Sequence, residues 1–506
     1  MELVIGIDLA TSGAKCVVMD KDAQVLAVAF TPYPLDTSEQ GKAEQNPAEW
    51  WAATRRSIKE ALQQANADPR AVQAIGLTGQ MHGLVALDAA GEVIRPAIIW
   101  LDSRSIPQCE WLLENIGEEA IAKHTLNVPL TGFTGPKLLW LRDNEPESYA
   151  RIAQIMLPKD YIRLRLTGVP GTDVSDASGT MLFDVARRTW SEELVRTLDI
   201  PLRWLPPAYE SGEIVGNLLP EVATELGLRA GIPVIAGAGD QAAAGVACGA
   251  LTEGVAAANI GSGGIVFIAM DSPKVDPSFG VHTFCHAVEG KWHLLGVVQT
   301  AGLALKWFTK TFCREEAAAA EICDKNVYDV LLQKASHVPP GCEGLVFLPY
   351  LMGERSPHRD PNARGVFFGA QLHHGKEYFT RAVLEGVAFA MRDCVETARQ
   401  MGVKLDTYYT GAGGGYQGRL WRQIQADIFG ANLVTLNVQE SSASGAAMLA
   451  GHACGLYESL EAAYRAGVQP LWYTEYDESN HARYQSLYTV YRRLYTNLRS
   501  LFKELA

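Results

Sequence analysis

One pattern limits the possible folds more than any other: a β-hairpin that occurs once in each half of the chain. Residues 3–8 form an apolar run ending in an acid, Asp8. The small turn Thr11-Ser12-Gly13 follows, then a second run over 14–20, and residues 24–30 continue the meander. Far downstream, residues 255–260, the turn Gly261-Ser262-Gly263-Gly264 and residues 265–269 repeat the arrangement. A chain of 506 residues exceeds one ordinary hydrophobic core, so the repetition predicts two related domains. Around the hairpins the rhythm is α/β. Residues 46–66 read as a helix, 72–77 as a buried strand, and 84–100 as a hairpin turning near Ala90-Gly91. Later, 408–410 and 433–436 read as strands, 419–429 as a helix, and about 482–505 as a C-terminal helix. No low-complexity linker separates the halves, and the boundary is expected between the Asp240 turn and Leu251, giving domains 1–246 and 247–506.

Composition removes several classes of function. Hydrophobic residues make up 48% and charged residues 20%, a globular balance. No apolar run approaches the roughly 20 residues of a membrane-spanning helix. The first residues lack a basic region and a cleavage signal, so export is not expected. Nine cysteines without CxxC pairs predict reduced thiols, no structural zinc and a cytoplasmic protein. A net charge of −13 disfavours nucleic acid as a partner. It leaves open a nucleotide held by backbone amides and a metal ion.

Four segments carry the residue types of a catalytic site. The turn 236–242 presents Asp240 at a strand end between small residues, as a general base for a hydroxyl group requires. The same stretch fits a loose dinucleotide fingerprint, Gly237-x-Gly239-x-x-Ala242, and an acid there also caps a helix. The segment 8–15 joins Asp8, suited to Mg²⁺, to a hydroxyl-rich turn whose amides suit phosphate; an ordinary hairpin with a solvated Lys15 is the alternative. GxxxxGK[ST] is absent, which excludes the usual P-loop enzymes. Gly413-Gly414-Gly415-Tyr416-Gln417-Gly418 satisfies GxGxxG, with Glu440 beyond the next strand, a dehydrogenase signal. Too little chain follows for a complete nicotinamide-binding domain, so a purine or ribose platform suits it better. Finally, Gly79-Gln80-Met81-His82-Gly83 and Trp100-Leu101-Asp102-Ser103-Arg104 offer imidazole, amide, carboxylate and indole groups that recognise polyols.

Taken in order, these segments resemble the FGGY carbohydrate kinases over nearly the whole chain. Residues 132–144, Gly132-Phe133-Thr134-Gly135-Pro136-Lys137 onward, resemble the family's first signature; Gly353-Glu354-Arg355-Ser356-Pro357-His358, residues 365–369 and residues 381–386 resemble the second region. The resemblance implies two duplicated ribonuclease H-like, actin-like ATPase domains of the sugar kinase, heat-shock ATPase and actin superfamily, with ATP and sugar in the cleft between them. Residues 80–83, 157–161 and 173–181 are most similar to members acting on D-xylulose, which implies that acceptor. L-xylulose, ribulose and gluconate are the nearest alternatives; a non-catalytic nucleotide switch and an NAD-dependent dehydrogenase are remote ones.

Carried over by position, Asp240 is implied to take the C5 hydroxyl proton, and Asp8, with Asp240, to hold Mg²⁺. Met81 and His82 are implied to contact the sugar, with Gln80, Trp100, Asp102, Arg104 and Gln241 as further substrate candidates. Thr11, Ser12, Gly13 and Lys15 resemble the first phosphate loop, Gly261, Ser262 and Gly263 the second, and Gly413, Gly414 and Gly415 the adenosine loop. A homodimer is implied by the resemblance alone. The chain departs from the family at Ala10, at Ser262-Gly263 and at Tyr416-Gln417-Gly418. Tyr416 is expected either to stack on adenine or to obstruct it.

Overall fold

The computed structural model describes residues 2–411, 414–438 and 440–505. Its first sheet contains β1 (Leu3–Leu9), β2 (Gly13–Asp20), β3 (Val25–Pro32), β4 (Val72–Gly79), β5 (Ile214–Asn217) and β6 (Pro233–Ile235), in the order β5-β6-β4-β1-β2-β3. A seventh short strand, Ala238–Gly239, also pairs with β4. The second sheet contains β7 (Val255–Ile260), β8 (Gly264–Met270), β9 (His282–Cys285), β10 (Trp292–Val298), β11 (Thr407–Thr410), β12 (Leu433–Leu436) and β13 (Pro470–Thr474), in the order β9-β10-β8-β7-β11-β12-β13.

The expected duplication is present in the pairing itself. An antiparallel meander, β1-β2-β3, recurs as β7-β8-β10. In each half a parallel strand then joins the first, β4 on β1 and β11 on β7. Another parallel strand and an antiparallel one follow, β6 and β5 in one half, β12 and β13 in the other. All seven residues of β1 are buried, as a central strand covered on both faces requires.

Helices cover both sheets. The first, α1 (Pro47–Gln64), starts where Asn46 Oδ1 accepts the Ala48 amide at 3.0 Å and Pro47 takes the first helical position. It turns Trp50, Ile58 and Leu62 inward. Further helices are α2 (Asp240–Ala247), α3 (Gly302–Phe312), α4 (Lys376–Gln400), α5 (Ser441–Ala453) and α6 (Glu478–Glu504). The last begins earlier than its apolar period suggests, because Asp477 caps it by accepting the Asn480 amide at 2.9 Å. The hairpin expected over 84–100 is present in short form: Val85–Leu87 and Ala97–Ile98 are its strands, Leu84 pairs antiparallel with Ile98 and Leu87 with Val93, and Ala97–Ile98 also pairs with Glu44–Gln45.

The second half lends a helix to the first. By sequence α5 belongs to the second half, yet it packs on β1, β2 and β4 of the first sheet and against α2, its counterpart in the duplication. The approach is so close that a Cβ on Gly76 would stand 2.0 Å from the Ala446 carbonyl oxygen, and one on Gly445 would stand 1.9 Å from that of Ala243. One apolar core therefore runs from Val4 and Ala74 through Ala243 and Ala447 to Phe267 and Leu295 of the second sheet. All nine cysteines are free, and only Cys323 and Cys454 are not buried. Among the described residues no helix is long and apolar enough to cross a membrane.

Candidate active site

Three parallel strand ends meet at one edge of the first sheet. Asp8 on β1 and Ala238 both lie opposite Thr78 of β4, one on each side, and Gly239 lies opposite Gly79. Asp8 and Asp240 thus flank the end of β4, from which Gln80, Met81 and His82 continue. In open α/β sheets this carboxyl edge is where ligands bind.

Asp240 is the first residue of α2, partly exposed, and its Oδ1 accepts the Gln241 amide at 2.8 Å. Burial pushes its carboxyl up to about 6, against that hydrogen bond. Asp8 is buried, and burial followed by the Asp240 charge pushes it up to about 7 while Lys15 pulls it down. Asp8 Oδ1 has no hydrogen-bond partner among the described residues. Two carboxyls whose proton affinities burial raises, one of them also under the other's charge and with an orphaned oxygen, form a donor set suited to a hard divalent cation such as Mg²⁺. Lys15, directly across the hairpin from Asp8, forms an ion pair with Glu440 at 2.5 Å. Glu440 therefore holds the first hairpin, not a ribose as the dinucleotide fingerprint would have it.

His82 adopts a left-handed backbone conformation, φ 71°. Its Nδ1 lies 2.9 Å from the Gly179 carbonyl, so Nδ1 carries the proton and Nε2 keeps its lone pair. Nε2 has no protein partner among the described residues. A side chain on Gly179 would collide with this ring at 2.3 Å, which fixes glycine there. The ring packs on Phe133 with centroids 4.8 Å apart, and burial holds the imidazole well below its usual range, hence neutral. Met81 lies against Gly239, the residue before Asp240. Thr11 Oγ1 accepts from Trp100 Nε1 at 2.9 Å and donates weakly to Gln80 Oε1 at 3.4 Å; Gln80 Nε2 donates to Gln45 Oε1 at 2.8 Å. Asp102 and Arg104 are engaged elsewhere: Asp102 accepts the Ala43 amide at 2.8 Å, and Arg104 binds Asp102 and Glu44 and lies over Trp140.

The two candidate phosphate turns are alike in form. Ser12 and Ser262 are both exposed at their tips. The Ala301 and Leu303 amides donate to the Ser262 carbonyl at 2.9 and 3.0 Å, which seats the second turn on the start of α3. Of the expected adenosine loop, Gly413 lies outside the described residues, Gly414 begins a four-residue helix, and Gly415 packs on Ile260. Tyr416 turns inward. Its fully buried hydroxyl donates to Gln425 Oε1 at 2.6 Å, so it neither stacks on a base nor obstructs one.

Several residues quoted only as motif members prove to brace this edge from behind. Lys137 and Thr134 both donate to the His82 carbonyl, at 2.8 and 3.1 Å. Ser175 Oγ accepts the Gly239 amide at 3.0 Å and donates to Asp173, whose other oxygen meets the buried Lys159 at 2.8 Å. Lys159 also binds Asp160 at 2.7 Å, and Arg163 holds the Ala236 carbonyl at 3.0 Å. The turn carrying Asp240 is thereby fixed at both ends. Gln45, which links Gln80 to the Thr11 carbonyl, and Arg163 lie outside every motif that could have revealed them.

Comparison with known proteins agrees with this architecture. The N-terminal domain of the FGGY carbohydrate kinases matches residues 3–247 and the C-terminal domain matches residues 256–454. A xylulose kinase of Bacillus subtilis is 36% identical, with 99% of this chain and 98% of that protein covered. A ligand-bound xylulose kinase from Lactobacillus acidophilus superposes with a TM-score of 0.93 at 28% identity, covering both chains fully. A gluconate kinase from the same organism gives the same values. This chain belongs to the FGGY family of carbohydrate kinases and is an ATP-dependent sugar kinase.

Proposed function

We propose that the protein transfers the γ-phosphoryl group of ATP to O5 of D-xylulose, with Asp240 as general base. The observation that carries this reading is Asp240 itself: a braced, partly exposed carboxyl beside Asp8, next to an imidazole that offers a free lone pair. His82 Nε2 accepts a sugar hydroxyl and orients it, while Met81 supplies an apolar wall. Asp240 takes the hydroxyl proton as the oxygen–phosphorus bond forms, a late demand in a loose transition state. Lys15 exchanges Glu440 for phosphate oxygens, and the amides of the turns at 11–13 and 261–263 receive the rest. Asp8 and Asp240 would hold Mg²⁺, which would supply positive charge against the phosphates and favour both acids in their ionised forms. Closure of the two halves excludes water as a competing acceptor.

ADP release measured with D-xylulose, L-xylulose, ribulose, gluconate and glycerol tests the reading. D-xylulose is expected to give the highest kcat/KM, and Asp240→Asn to lower kcat about 10²- to 10⁴-fold. Turnover of none of these acceptors sinks the proposal. The equal likeness to a gluconate kinase supports one second reading, a different acceptor at the same site, and preference for gluconate would select it.

A further inference from the structure

The loop at 353–358 brings an arginine of the second half to the sugar side of the first. Arg355 is held at its backbone: its amide donates to Glu354 Oε1 at 2.8 Å, and the next amide, that of Ser356, donates to the Val297 carbonyl of β10 at 3.0 Å. Its side chain is held as well. Arg355 Nε donates to His282 Nε2 at 2.9 Å, while His282 Nδ1 donates to Asn127 Oδ1 at 3.0 Å. Asn127 Nδ2 donates to the Thr125 and Thr283 carbonyls, so its Oδ1 is the acceptor and the tautomer of His282 is fixed. His282 stands edge-on to Phe133 at 5.8 Å and nearly parallel to Phe284 at 5.7 Å, and these two rings lie against His82 at 4.8 and 6.1 Å.

Two nitrogens of the guanidinium are left over. Arg355 is partly exposed, and among the described residues its terminal nitrogens make no hydrogen bond and no carboxylate pairs with it. Other sheltered arginines, Arg188 and Arg381 among them, each bind an acid. Burial pulls the Arg355 guanidinium down to about 10 with no acid to offset it, and its charge helps to hold both His82 and Lys137 low, which places it close to them.

What such a group can recognise follows from the acceptor, and here the inference rests on the transfer to O5 proposed above. In the furanose ring of a ketopentose O5 is closed on C2, so a sugar with a free O5 hydroxyl is open-chain and presents its C2 carbonyl. His82 Nε2 has only a lone pair to offer and suits a hydroxyl. A guanidinium has only donors and suits an oxygen that only accepts. We propose that Arg355 binds the acceptor at this carbonyl oxygen and so selects open-chain ketoses over polyols. The second half thereby completes a site whose other acceptor groups, Asp240, His82 and Met81, all come from the first. The carboxylate of gluconate also only accepts, and it would meet the same guanidinium.

Isothermal titration of D-xylulose, gluconate and xylitol into wild type and Arg355→Met tests this. Xylitol carries hydroxyls along the same five-carbon chain and lacks the carbonyl. Arg355→Met is expected to weaken D-xylulose and gluconate about 10- to 100-fold, the loss of a hydrogen bond to a charged donor, and xylitol less than about threefold. Equal loss for all three ligands makes Arg355 a brace, and undiminished binding of D-xylulose and gluconate removes it from the site; either result overturns the inference. Arg355→Lys keeps a donor to His282 and carries the same comparison if thermal scans show the Met variant unfolded. The titration needs no turnover, so its outcome is independent of the role of Asp240. A wild type that prefers gluconate to D-xylulose sinks the acceptor reading, while the gluconate arm still judges Arg355.

Discussion

Lys137 and Glu354 act on the site without facing it. Lys137 is fully buried, and burial brings its ammonium down to about 7, so its contribution near neutrality is to hold the His82 carbonyl rather than to carry charge. Lys137→Met keeps the length of the side chain and removes the donor. It is expected to raise the sugar KM about tenfold, the cost of one buried hydrogen bond, with a smaller effect on kcat; steady-state kinetics read the split. Burial pushes Glu354 up to about 8 from 4.5. Between those values the folded chain keeps a proton that the unfolded chain has released, so stability is full at low pH and is lost as pH rises towards about 8. Glu354 Oε1 accepts the Gln299 and Arg355 amides, and Oε2 has no partner. Gln can keep the first role and place an N–H at the second. The melting temperature of Glu354→Gln is therefore expected to fall less than that of wild type between about pH 5 and about pH 8, and thermal scans at both check it. Neither role was visible in the sequence, where both residues were only letters of a signature.

Strands and hairpins were the legible elements. β1, β2, β7 and β8 are mostly apolar runs around small turns, and α1 announces itself by Asn46-Pro47. Asp8, Asp240 and His82 could be found because each follows such a run, and strand register alone brings them to one edge. What remained hidden was α5 against the first sheet. A helix of Ala, Ser and Gly has no wide apolar stripe, and the match of Ala446 and Ala443 to Gly76 and Gly6 exists only once the halves are folded. The fit has no slack, because the atoms a new Cβ would meet are backbone carbonyls. Gly76→Ala is expected to cost about 3 kcal/mol by overpacking, the upper end of the usual range, read as a lower midpoint in denaturant; a midpoint unchanged from wild type would mean that α5 can shift aside.

The molecule as a whole is two copies of one sheet plan that cannot be separated at the middle of the chain. A fragment ending at residue 247 contains every strand of the first sheet but lacks α5, leaving the face around Gly6 and Gly76 bare. That fragment is expected to show no cooperative thermal transition alone and to gain one when mixed with residues 248–506; circular dichroism melts distinguish the cases, and a cooperative melt of the fragment by itself would show that α5 is dispensable. The crossing of α5 sets a timetable for synthesis. A ribosome adding about 5–20 residues per second finishes the first sheet's strands well before it reaches residue 453, so for part of every round of translation an apolar surface waits for a helix that has not yet been made.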